Sequence, residues 1–365
     1  MTLGLYLARR LVGTFGLIAL VFLGVLYLFE LIELVRRLGG QAPMRQLTFM
    51  AFLRVPATLH QILPLIMVLA SMALFQAMAR SSELVVIRGA GRSGLRLLVE
   101  PLLAAVVLGM LAVAVLNPVA ALSARFYQTQ LQALQNPDAV LQMGLSGNAI
   151  WLRQSDPQGQ TVIRADRAGP GGVSLQGVTF LGFQRETGRP LTRIAADTAT
   201  LEPGQWRLTG VTRWHLDRPN PEAEAERTDT LTLPTDLTPE RLRDTFARPG
   251  QVSVWGLPDL IDTLEGAGLS ARSQRAELQA ELALPAMLAA MLLIGAALSL
   301  RHSRMGQAGM RVLVTVLAGF ALFFLRNLVL VLGENGQVAL WLAVWTPPLA
   351  SIMLAIGVLL HLEDG

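Results

Sequence analysis

The sequence contains no lysine and no cysteine; all 30 of its basic residues are arginine. Without lysine there is no P-loop, whose lysine reaches the β- and γ-phosphates. Schiff-base chemistry through an amine side chain is excluded for the same reason. Without cysteine there are no disulfides, no thiolate nucleophile and no thiolate metal site, and cysteine usage says nothing of the redox compartment. Charge is also scarce. Only 15% of the residues are charged, against about 25% in a soluble domain. The four histidines, His60, His215, His302 and His361, are far apart and show no H-x-x-x-H spacing, so no metal centre is expected. No serine sits in a nucleophile elbow or beside a plausible base. An active site within this chain is therefore not expected.

What is present is apolar sequence, 52% of the chain. It is concentrated in windows of the length that crosses about 30 Å of hydrocarbon. The spans predicted are 11–34, 56–78, 102–122, 282–300, 312–332 and 338–360. The first is too long and too evenly apolar for a cleaved signal peptide, and no A-x-A-like site follows it. The layout is three spans, a polar block of about 150 residues, and three more spans. The fold class expected is a polytopic α-helical membrane protein of six transmembrane helices with an inserted all-β domain. The boundaries read from composition are 1–125, 126–275 and 276–365.

The net charge of +4 divides unevenly. Residues 125–275 carry 16 arginines against 17 acids, and the remainder 14 against 9. The basic excess thus belongs to the membrane portion, as the positive-inside bias produces, and not to a nucleic-acid-binding surface. One set of span ends holds Arg9, Arg10, Arg80, Arg88, Arg92, Arg96, Arg301, Arg304 and Arg311. The other holds Arg36, Arg37, Arg45 and Arg54 and the GENGQ turn at 333–337. This asymmetry puts both termini and the 80–96 segment in the cytoplasm, and the polar block outside it.

The polar block alternates apolar and polar residues over 149–153, 161–165, 173–184, 191–201, 205–216 and 228–233. Turn signals separate these runs, including Asp156-Pro157 and the glycine-rich 169–172 stretch. Short strands at this spacing predict a sandwich or jelly roll. Helical patterns flank it: 123–134 continues the third span outward past Asn117-Pro118, and 257–264 and 271–281 lead into the fourth.

Two places are candidates for chemistry at the outer span ends. Glu30, Glu33, Arg36 and Arg37 close the first span, with Glu30, Glu33 and Arg37 at i, i+3 and i+7 on one helix face. Charges at this depth face protein or a wet cavity. The run is either a polar lining that meets the charged head of a substrate or an interfacial ion pair whose arginines snorkel. Arg326 lies within the fifth span, about 10 Å from its outer end. It has no acid within one turn and needs a partner from another element, Glu30 or Glu33 being the candidates. It is either a second cationic contact in the same cavity or an interhelical packing bridge.

The third candidate is RSSELVVIRGAGRSGL at 80–95. Ser81-Ser82-Glu83 has the form of a helix start, with serine as N-cap and an acid in the first turn. Leu84, Ile87 and Arg88 then make a mixed face before a cluster of glycines. Such a segment is either a plain polar loop or a short helix on which a cytoplasmic partner pulls.

SSELVVIRGAG, preceded by LPLIMVLASMALFQAMAR, resembles the coupling-helix region of the LptF/LptG permeases of lipopolysaccharide export. The resemblance extends over nearly the whole chain. ADRAGPGGVSLQGVTFLGFQ and RIAADTATLEPGQWRLTGV are similar to that family's periplasmic jelly-roll strands. AELALPAMLAAMLLIGAALSL and GMRVLVTVLAGFALFFLRN are similar to its fourth and fifth spans. The latter, with WLAVWTPPLASIMLAIGVLL, resembles the LptG branch more than the LptF branch. The resemblance implies a heterodimer with an LptF-type permease and a dimer of LptB-type ATPases on the coupling helices. It also implies LptC- and LptA-type periplasmic partners. Glu83 would face an arginine of the ATPase, with Leu84, Ile87 and Arg88 beside it. Arg36 and Arg37 would bind lipopolysaccharide phosphates, with Glu33 and Arg326 in the same lining. Glu30 departs from the family's enteric pattern, which has a lysine there, and an acid does not bind phosphate.

The function expected is a permease subunit that extracts lipopolysaccharide from the inner membrane of a Gram-negative bacterium and passes it to a periplasmic bridge. It would have no catalysis and no cofactor of its own, ATP and Mg being used by the partner ATPase. The alternatives are a membrane-anchored scaffold whose β domain binds envelope partners and a membrane enzyme acting on lipid.

Overall fold

The computed structural model describes residues 2–40, 42–81, 94–135, 143–146, 149–156, 159–168, 174–184, 189–218, 220–235, 252–266, 270–299 and 308–364. The chain falls into two compact units. One comprises Met1–Tyr127, Gly250–Trp255 and Ala276–Gly365, and the other Gln128–Pro249 and Gly256–Arg275. The return segment Gly250–Trp255 groups with the helices, not with the strands.

The first unit is helical. Helix α1 runs Thr2–Leu38 and α2 Met44–Arg80. Helix α3, Gly94–Leu111, passes through a π turn, Ala112–Leu116, into α4, Asn117–Gln135. After the strands come α5, Leu257–Gly266, which belongs to the second unit, and α6, Arg272–Leu282, which joins the first at Ala276. Helices α7, Leu284–Ser299, α8, Ala308–Glu334, and α9, Leu340–Asp364, complete the chain. Among the described residues, five stretches are long and apolar enough to cross a membrane: Gly4–Leu38, Met44–Ala79, Arg96–Leu131, Val312–Glu334 and Leu340–His361. The pair α6 and α7, bent by 49° at Ala283, makes a sixth. These are the six apolar segments expected from composition.

Helix α7 is apolar all round and almost wholly buried, as such a helix must be. It packs against α2, α3, α8 and α9. Small residues let the backbones close. A Cβ on Gly109 would lie 2.5 Å from the Pro285 Cα, and one on Gly295 would lie 2.6 Å from the Ser71 Oγ. Close approach of this kind replaces the hydrophobic drive that lipid does not supply between spans. Ser71 then donates to the Leu292 carbonyl at 2.7 Å. Helix α1 by contrast exposes Leu17, Leu20, Leu28, Phe29 and Ile32, an apolar surface suited to lipid or to another apolar chain and not to water.

Among its described residues the second unit holds seven strands: β1 Met143–Ser146, β2 Ala149–Asp156, β3 Gly159–Ala168, β4 Ser174–Gln184, β5 Pro190–Glu202, β6 Gln205–His215 and β7 Glu226–Pro234. They form one antiparallel sheet in sequence order. The inserted all-β domain is as expected, and its described strands are connected as a meander. One face is apolar and buried: Ile163, Phe180 and Ile194 stand in register across β3, β4 and β5. Trp206 pairs with Leu201 on the same face. Two hairpins share one irregularity. Gly177, at φ 62°, sits against Asp166, and Gly210, at φ 63°, sits against Asp197. Glycine is the residue that tolerates both the left-handed backbone and the close carboxylate.

Candidate functional site

The candidate site lies at the C-terminal end of α1 and on the helices beside it. Helix α1 stays regular through its charged last turns and ends where Gly40 takes φ 92°, a C-terminal glycine signal. Glu33 accepts hydrogen bonds from two arginines at once. Arg36 donates Nε to Oε2 and Nη2 to Oε1, both at 3.0 Å, and Arg37 donates Nε to Oε1. The arginine side chains are 73% and 61% exposed and Glu33 only 29%. One carboxylate is thus shared between two guanidiniums, leaving one positive charge in excess. Exposed ion pairs hold weakly, and guanidinium is matched in shape to phosphate. The arrangement can therefore turn an arginine from Glu33 to an anionic ligand.

Glu30, one turn earlier, does not join this group. It pairs with Arg54 of α2 at 3.2 Å and accepts from Thr58 Oγ1 at 3.3 Å. Its side chain is 13% exposed against 40% for Arg54. The Arg54 guanidinium also sits 5.5 Å from the ring centroid of Tyr127 on α4, within cation–π range. A node of Glu30, Arg54, Thr58 and Tyr127 therefore joins α1, α2 and α4. The single lining expected from the i, i+3, i+7 spacing is divided: Glu33 works with its own helix and Glu30 with its neighbours. Arg54 and Thr58, at i, i+4 on α2, gave a local signal, but the spacing on α1 says nothing of which helix stands opposite.

Arg326, half-buried in α8, is drawn electrostatically to Glu281. Neither of the expected candidates, Glu30 and Glu33, is bonded to it among the described residues. Both are already engaged, by Arg54 and by Arg36 with Arg37. Glu281 sits near the end of α6, two residues before the bend into α7 at Ala283. It also meets His60 of α2, whose Nε2 lies 2.9 and 3.0 Å from its two carboxylate oxygens. His60 and Glu281 were not candidates in the sequence, because their pairing spans 221 residues. A charged residue in a span needs an opposite charge within reach, and Glu281 is the acid whose field reaches Arg326.

Ser81, the last described residue after α2, turns its hydroxyl back to the carbonyls of Ala77 and Met78 at 3.1 and 3.3 Å. Glu83, Leu84, Ile87 and Arg88 lie outside the described residues.

The profile of the family "Lipopolysaccharide export system permease LptF/LptG" matches residues 5–361. Two curated relatives are the lipopolysaccharide export system permease protein LptG of Escherichia coli strain K12 and that of Escherichia coli O6:H1 strain CFT073. Each is 24% identical over 282 residues, which is 76% of this chain and 74% of the relative. Six apolar segments around an inserted β unit, matched from end to end, leave one assignment: the chain belongs to the LptF/LptG family of lipopolysaccharide export permeases, multi-pass proteins of the inner membrane.

Proposed function

We propose that the chain is the non-catalytic permease subunit of an ATP-driven transporter that lifts lipopolysaccharide out of the inner membrane and passes it to a periplasmic bridge. Its partners are an LptF-type permease, a dimer of LptB-type ATPases, and LptC- and LptA-type proteins. It uses no cofactor of its own; ATP and Mg act in the ATPase. Both termini are cytoplasmic and the 126–275 block is periplasmic, in keeping with nine arginines at one set of span ends against four at the other. The ATPase engages Glu83, Leu84, Ile87 and Arg88.

The observation that carries the substrate side is the shared carboxylate of Glu33. With two exposed arginines on one acid, the end of α1 holds a surplus cation at the edge of an apolar helix. That is the chemistry that recognises a phosphorylated amphiphile: apolar surface for its chains and guanidinium for its phosphate. Glu30 and Arg326 belong to the walls of this site. Glu30 is paired with Arg54, so it shapes the wall while Arg36 and Arg37 meet the phosphate.

The test is photocrosslinking of lipopolysaccharide to a probe at the end of α1 in the assembled transporter. Arg36→Glu with Arg37→Glu should remove most of the adduct. Equal adduct in the charge-reversed protein would reduce these residues to interface anchors and favour a scaffold.

A further inference from the structure

Arg54 of α2 takes no part in the Glu33 group, yet its guanidinium is held on two sides. On one side its Nε lies 3.2 Å from Glu30 Oε2. That carboxylate is itself placed by Thr58, whose Oγ1 donates to Glu30 Oε1 at 3.3 Å. On the other side stands the ring of Tyr127, with its centroid 5.5 Å away. Tyr127 is only 6% exposed, so the ring is a packed wall. Among the described residues, no acceptor takes a hydrogen bond from the terminal nitrogens of Arg54. A guanidinium engaged through Nε keeps a second edge of N–H donors, and that edge matches a phosphate. All of these residues belong to the helical unit.

The order of exposure puts the cations outermost. Arg54 is 40% exposed over a Glu30 that is 13% exposed. Arg36 and Arg37 are 73% and 61% exposed over a Glu33 that is 29% exposed. A ligand arriving from the open side meets three guanidiniums before it meets a carboxylate. Three arginines on two acids leave one positive charge in excess across the whole group.

The three cations differ in how they are held. Arg36 and Arg37 compete for one acid and are free to follow a ligand. Arg54 is already fixed by Glu30 and Tyr127, so less side-chain freedom is lost when it binds. Glu30 and Glu33 stand on neighbouring turns of α1, separated by about 4.5 Å of rise. A fixed guanidinium thus lies beside an adjustable pair, an arrangement that suits two anionic groups on one head. It also gives Glu30 a role: an acid does not bind phosphate, but it holds the guanidinium that can.

We propose that Arg54 is a third and fixed phosphate contact, positioned by Glu30 and Tyr127, and that it sets a preference for a lipid head carrying two phosphates over one. The proposal deepens the reading of this end of α1 as a phosphate-recognising site and rests on it.

The experiment titrates the whole transporter in lipid nanodiscs with diphosphoryl and with monophosphoryl lipid A, well below the thermal midpoint of each variant. Arg54→Gln should weaken binding of the diphosphoryl lipid by about tenfold, the worth of one hydrogen-bonded charge contact. Binding of the monophosphoryl lipid, met by Arg36 and Arg37, should change little, so the preference between the two collapses. Arg54→Lys keeps the charge without the planar fork and should restore only part of it. Tyr127→Leu, which leaves the cation but frees it, should lose a smaller part. Unchanged binding of the diphosphoryl lipid by Arg54→Gln overturns the proposal. So does an equal loss for both lipids, which marks a residue that serves only the fold. If Arg36→Glu with Arg37→Glu leaves the binding of both lipids unaltered, the phosphate-recognising site itself is overturned, and not Arg54 alone.

Discussion

The imidazole of His60 on α2 meets both carboxylate oxygens of Glu281 on α6, at 2.9 and 3.0 Å. The acid lies beside the bend between α6 and α7. Removing it leaves the His60 Nε2 inside the bundle without its partner. Glu281→Leu should lower stability by about 2 kcal/mol, read as thermal unfolding in detergent. Adding His60→Leu should recover part of that loss, because the unpaired group goes with it. A double variant less stable than Glu281→Leu alone would contradict this pairing.

The Glu30–Arg54 pair should behave as a coupled unit. Glu30→Gln and Arg54→Gln each leave one charge unmatched at a partly buried position. The double variant removes both charges and should be more stable than the sum of the single losses predicts. A coupling energy of about 1 kcal/mol in a double-mutant cycle is the expected reading. Strict additivity would mean that the two side chains act independently.

At the end of α1 the shared carboxylate gives an asymmetric outcome. Glu33→Gln releases both guanidiniums and should tighten binding of a phosphorylated lipid several-fold. Arg36→Gln or Arg37→Gln alone should change it little, since the other arginine remains, and the double substitution should weaken it by about tenfold or more. Titration with a fluorescent phosphorylated lipid measures all four. Weaker binding by Glu33→Gln would place Glu33 itself in the contact.

Two glycines of the helical unit should differ sharply. Gly109→Ala puts a Cβ 2.5 Å from the Pro285 Cα, where backbone has to move. It should cost about 1–3 kcal/mol and lower the thermal midpoint. Gly24→Ala enters open space on α1 and should leave the midpoint in place. Equal midpoints for the two variants would show that α3 and α7 separate without cost.

The six apolar segments and the strand block were legible because each rests on local chemistry. Hydrocarbon thickness fixes the length of an apolar run, and a half-buried strand alternates. Residues 174–184 and 190–202 form strands close to where alternation puts them. The short β1 strand, Met143–Ser146, escaped because four residues carry no period. The helical pattern read over 123–134 beyond the third span is found, with helix continuing to Gln135.

The sequence by itself determined that this chain is a polytopic membrane protein with no lysine and no cysteine chemistry, and that its charges gather at span ends. Composition and spacing along one helix are enough for that, including the Glu33–Arg36–Arg37 group, which lies within five residues. Only the tertiary structure decided how the remaining charges are matched. Glu30 goes to Arg54 and accepts from Thr58, and Glu281 meets His60. Each of these joins helices whose order in the bundle is set by packing of apolar and glycine surfaces. A charge inside that bundle takes whichever opposite group the packing brings within reach.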